Sequence, residues 1–70
     1  MSNFATDKII LQACEEIHNY LLDTPYSSRY IDMLVARVQS KLRGKDYFYN
    51  EKHFDNLCIN FAISKGMMEK

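Results

Sequence analysis

The residues with catalytic or metal-binding chemistry fall into two pairs, Cys14 with His18 and His53 with Cys58. Cys14 and His18 are four positions apart, which makes them neighbours on a helix. A thiolate beside an imidazole is the arrangement of a nucleophile and its base. Against that use, Cys14 falls in the middle of an apolar stripe, where cysteine behaves as a small inert hydrophobe. No third group stands where it would orient the imidazole. Cys14, His18, His53 and Cys58 together have the side chains of a zinc site but not its spacing. His53 and Cys58 are five apart, so on one helix they diverge by roughly 140°, whereas zinc ligands come from tight turns or from helical neighbours. Glu15 and Glu16 point apart on a helix and cannot face one another as acid and base. There is no glycine-rich phosphate loop. The expectation is a chain that is not an enzyme and uses no cofactor and no metal.

A second constellation suits binding. Arg37, Lys41, Arg43 and Lys45 follow one another with no acidic residue between them, and Tyr47, Phe48, Tyr49, Lys52 and His53 come directly after. Basic side chains for phosphates beside aromatic rings for stacking are what a nucleic-acid surface needs. A nucleic-acid reading would rest on Arg37, Lys41, Arg43, Lys45, Tyr47 and Lys52. In the plainer reading these residues form a solvated helix end, with aromatics that close the core from the loop.

Three helical stretches position these residues. The first runs over Asp7–Leu22, with Thr6 as N-cap and Ile10, Cys14, Ile17 and Leu21 at helical spacing. The break around Pro25 starts a second helix, capped by Thr24 or by Ser27; in the latter case Tyr26 and Ile31 form a hydrophobic staple. Its stripe is Ile31, Leu34, Val35, Val38 and Leu42, and it ends at Leu42 or Arg43 with Gly44 as C-cap. Tyr47, Phe48 and Tyr49 suit a short extended piece. Asn50 then caps a third helix, with Tyr49 and Phe54 at staple spacing and Gly66 as C-cap.

The third helix carries two apolar sets. Phe54, Leu57, Cys58 and Phe61 form its main stripe, while Ile59, Ile63 and Met67 lie roughly 140–180° around it. A surface helix of a three-helix monomer needs one apolar face. The second is read as an interface, the alternative being that loop residues or Phe4 cover it. The stretch from Phe54 to Met68, ending in Lys65-Gly66, resembles the recognition helix of winged-helix proteins. It departs from that pattern in the long second helix, the long connecting loop, and Ile59 and Ile63 where base-reading Arg, Asn or Gln would stand. No family is assigned on it.

Seventy residues allow one domain, spanning 1–70, and the composition of 47% hydrophobic and 26% charged residues is that of a folded protein. With one Pro and two Gly the chain favours helices over a many-turned sheet. No apolar run approaches the roughly 20 residues that span a bilayer. A start without a signal-peptide pattern and only two cysteines suit a reducing, cytoplasmic setting. Net charge is zero but uneven: residues 1–24 sum to −3 and residues 25–54 to +3. That imbalance suits head-to-tail contacts or a local anionic partner.

The expected fold is all-α, a three-helix bundle whose third helix has a second apolar face. The expected function is a small interaction or regulatory protein, an adaptor or inhibitor of a larger complex. It docks on a protein partner, or on its own copy, through Ile59, Ile63 and Met67. The alternative is a small dimeric DNA- or RNA-binding regulator using segment 37–53.

Overall fold

The computed structural model describes residues 3–21 and 29–67. Elements run β1 (Asn3–Phe4), α1 (Asp7–Leu21), α2 (Tyr30–Gly44), β2 (Tyr47–Phe48) and α3 (Glu51–Ser64). The three helices pack against one another as an all-α bundle. The two short strands close one end as a parallel pair, with Asn3 opposite Tyr47 and Phe4 opposite Phe48.

Local chemistry explains most boundaries. Thr6 opens α1: its Oγ1 accepts from the Ile9 N–H at 3.3 Å and its carbonyl from the Ile10 N–H at 3.0 Å. Asn50 opens α3 in extended backbone, its side chain accepting from the His53 N–H at 2.9 Å. The Tyr49 ring lies 4.7 Å from that of Phe54, centroid to centroid, which completes the staple. At the other end of α3, Gly66 takes φ 73°. The Gly66 N–H donates to Ile63 O and the Met67 N–H to Ala62 O, so two terminal carbonyls are satisfied as the chain reverses.

The second helix departs from expectation at both ends. It starts at Tyr30, behind an Arg29 with helical backbone and no side-chain cap. The expected caps Thr24 and Ser27, with Pro25, Tyr26 and Leu22, lie outside the described residues. At its C-terminus Gly44 is still helical, and the left-handed residue is Asp46, at φ 58°. The Lys45 and Asp46 N–H groups donate to Leu42 O and Arg43 O, which carries the turn two residues past Gly44 before the chain enters β2. Aspartate tolerates this conformation better than most residues because its short side chain bonds locally.

The core is built from one row per helix. Ile10, Ala13, Cys14 and Leu21 come from α1; Tyr30, Leu34, Val38 and Leu42 from α2; Phe54, Cys58, Phe61 and Ala62 from α3. Each large side chain here contributes about 1.5–3 kcal/mol of burial. Ala5, just past β1, is also buried and donates its N–H to Phe48 O at 2.8 Å. One polar side chain joins the described core: His18, whose Nδ1 lies 2.6 Å from the Tyr30 hydroxyl while its ring meets Phe61 edge-on. Among the described residues no buried side-chain polar atom lacks a partner. No helix among them is long and apolar enough to cross a membrane.

Candidate functional site

Along α2, two rows of residues four apart run side by side. Tyr30, Leu34, Val38 and Leu42 are apolar throughout and buried. Ile31, Val35 and Gln39 stand about 100° further round the helix and are half-buried. This second row, with Asp32 and Ala36, forms one wall of an open groove, and Asp55 and Ile59 of α3 form the other. The groove encloses about 430 Å³, within the range of ligand pockets, and no residue of α1 lines it. Its floor is Ile31, Val35 and Ile59; its polar groups are Asp32, Gln39 and Asp55.

Of the three residues assigned to the second face of α3, the structure brings one to this groove. Ile59 lines it. Ile63 is half-buried one turn further along but is not among the lining residues. Met67 lies beyond the helix and packs against the bundle's own core, because the turn at Gly66 folds it back. Phe4 does not cover α3: it is 65% exposed and paired in register with Phe48, itself 60% exposed.

Of the basic–aromatic segment, Lys41, Lys45 and Tyr47 line one cleft against α1, whereas Arg37, Arg43 and Lys52 are not among its lining residues. Lys41 forms an ion pair with Glu16 of α1. That hydrogen bond, and then the charge of Lys41, hold the Glu16 carboxyl below the usual carboxylate range. The Arg37 guanidinium lies 5.4 Å above the Tyr20 ring of α1. Lys45 and the half-buried Tyr47 line a smaller cleft of about 130 Å³ against α1, together with the Glu16–Lys41 pair. Arg43 and Lys52 are exposed. The three aromatics alternate, as extended residues do: Tyr47 and Tyr49 pack on the core and Phe48 faces out.

Ion pairs tie the acidic residues of α1 to the rest of the bundle. Each described acidic residue of α1 meets a basic side chain from elsewhere in the chain: Asp7 with His53 at 2.7 Å, Glu15 with Lys65 at 3.1 Å, and Glu16 with Lys41. Among these partners Lys41 is the formal cation of residues 25–54, so among the described residues one ion pair joins the acidic start to the basic middle. Asp32 and Asp55 make no ion pair or hydrogen bond among the described residues.

The four candidate metal ligands do not converge. Cys14 and Cys58 face each other across the core, Sγ to Sγ at 3.8 Å, whereas His53 is at the surface with Asp7. The contact with Cys14, then burial, push the Cys58 thiol up; the same contact lowers Cys14 against the opposing effect of burial. Both thiols are sealed from solvent and line neither cavity. Among the described residues no cluster of three His, Cys, Asp or Glu side chains is placed to hold a metal ion.

Sequence reasoning found Ile59 but missed the α2 wall, because Ile31 and Val35 read as one stripe with Leu34 and Val38. The available signal was the end of the Ile31 row in Gln39, which marks that row as the edge of the buried surface. Phe4 with Phe48 was also missed, since the parallel pairing joins residues more than forty positions apart. Comparison with known protein families, with curated proteins and with solved structures finds no match to this chain.

Proposed function

We propose that this chain is a small, non-enzymatic interaction module whose α2–α3 groove receives an apolar segment of a protein partner. The observation that carries this reading is the groove itself: Ile31 and Val35 from one helix and Ile59 from the next form an apolar floor that no described part of the chain covers. Apolar side chains gathered in an open concavity mark contact sites more often than singly scattered ones do. An enzymatic reading has less support, since the only described thiols are turned away from both cavities. A nucleic-acid reading has less support as well. Lys41 and Arg37 are engaged with α1, and Tyr47 packs inward.

The test is an amide NMR titration of the full chain, with a panel of synthetic helical peptides in one arm and a short random duplex at low and moderate salt in the other. Tumbling time in the same samples reports self-association. Peptide-induced shifts confined to residues 31–39 and 55–63, lost in Val35→Asp with Ile59→Asp, are expected. Peptide binding that survives both substitutions overturns the reading. So do salt-sensitive duplex shifts in residues 37–53 with none in the groove.

A further inference from the structure

From the polar groups around the groove we infer that its occupant is a short amphipathic helix of a different protein, carrying Lys or Arg along its borders. This rests on the groove being the docking site; the inference concerns what docks.

The first argument is charge. Seven carboxylates belong to the described residues: Asp7, Glu15, Glu16, Asp32, Asp46, Glu51 and Asp55. The three on α1 are each paired with a base of this chain. Of the remaining four, two line the groove, and no basic residue among the described ones lines it. Asp32 has a second use, since it sits in the first turn of α2 where the helix end favours negative charge. Asp55 stands a turn into α3 and has no such local role. An apolar floor with a carboxylate from each wall complements an apolar stripe flanked by cations.

The second argument is backbone. Both walls are helices, whose main-chain groups are bonded within themselves. An extended segment laid here would find no strand edge to pair with and would leave its own amides desolvated. A helix satisfies its backbone internally and presents only side chains. The α2 wall from Ile31 to Gln39 spans about 12 Å at 1.5 Å per residue, so two to three turns cover it.

The third argument separates a different protein from a second copy. Docking groove against groove about a two-fold axis would bring Asp32 and Asp55 of one protomer towards Asp32 and Asp55 of its partner. Like charges brought together in this way select against that pairing. The same carboxylates repel a nucleic-acid backbone.

The deciding experiment uses the full chain and three synthetic helices of three to four turns with the same leucine stripe, bordered by Lys, Gln or Glu. Binding is followed by fluorescence anisotropy and by amide shifts. The Lys peptide is expected to shift Val35, Gln39 and Ile59 and to bind about tenfold tighter than the Glu peptide at low salt. That preference shrinks as salt is raised. Asp32→Asn with Asp55→Asn, both at exposed positions, should bring the Lys and Glu peptides to the same affinity. If all three peptides bind the groove equally, the charge inference falls and the docking reading stands. If the Lys peptide instead shifts Glu15 and Glu16 on α1, the inference falls as well. If no peptide moves the groove amides, the docking reading falls with it.

Discussion

On the side of α2 that meets α1, Lys41 reaches Glu16, Arg37 lies over Tyr20, and the Tyr30 hydroxyl is bonded to His18. On the side that turns away from α1, Asp32 and the α3 residue Asp55 flank Ile31, Val35 and Ile59, with no cation among the lining residues. Thus α2 carries one face whose polar groups are answered within the chain, and borders with α3 a groove whose carboxylates have no ion-pair partner among the described residues. A folded chain gains by satisfying its polar groups internally wherever it can. The face left unanswered, and apolar between its charges, is the one where an external partner would add most.

The largest effect that can break this contrast comes from comparing one substitution on each face. Phe54→Ala removes a fully buried ring from the centre of the bundle and should cost about 3–5 kcal/mol. Against a typical total of about 5–15 kcal/mol, that removes a large share of the stability. Ile59→Ala removes a half-buried side chain at the groove and should cost less than about 1 kcal/mol. Thermal melts followed by circular dichroism measure both. If Ile59→Ala destabilises as strongly as Phe54→Ala, the groove is a packing seam of the bundle, and the difference between the two faces of α2 disappears.

A smaller effect sharpens the satisfied face. Tyr30→Phe takes away the hydroxyl that faces His18 Nδ1 at 2.6 Å and leaves a buried ring nitrogen without that partner. The cost should be about 1–3 kcal/mol in urea titrations. Adding His18→Phe in the same chain removes both ends of this hydrogen bond and should recover part of that loss, because the ring nitrogen no longer stands without the Tyr30 hydroxyl. A double variant no better than Tyr30→Phe would mean that shape at this junction matters more than the hydrogen bond.

The bundle was legible because its rules are local. Thr6, Asn50 and Gly66 each announce a helix end by side-chain chemistry that acts within a few residues. The four-residue spacing of Leu34, Val38 and Leu42 likewise declares a buried row. What escaped was set by long-range contacts. The charge runs read as open patches because nothing in a linear sequence says that Glu16 and Lys41 come together in the bundle. Phe4 was, with loop residues, the alternative cover for the second face of α3, whereas one strand pairing sets it beside Phe48 and exposed. Gly44 read as the helix stop, but the chain enters β2 through Asp46, a residue that accepts left-handed geometry without being glycine. At the candidate site, Ile59 was legible as an apolar residue off the main stripe. Its α2 neighbours were not, because half-burial at Ile31 and Val35 depends on how far α3 extends over them.

The smallest effect tests whether the ion pairs on the α1 side hold the bundle or merely neutralise it. Glu16 is exposed, and its hydrogen bond with Lys41, then the charge of Lys41, lower its pKa from the ordinary 4.5. A carboxyl that is more acidic in the folded than in the unfolded chain binds fewer protons there. Its stabilising contribution is therefore fully present above pH 4.5 and fades as pH falls through the lowered folded value. Exposed pairs are screened by water and salt, so the contribution is small. Glu16→Gln should leave the melting temperature at neutral pH nearly unchanged and flatten its fall on the acid side, and added salt should narrow the difference further. Asp32→Asn with Asp55→Asn, which breaks no ion pair among the described residues, should leave the Glu16-dependent part of the profile in place. A large loss at neutral pH from Glu16→Gln would assign the pair a structural role and make the charge matching between α1 and α2 a determinant of the fold. A loss near the resolution of the melt would mean that the pair neutralises charge without holding the bundle.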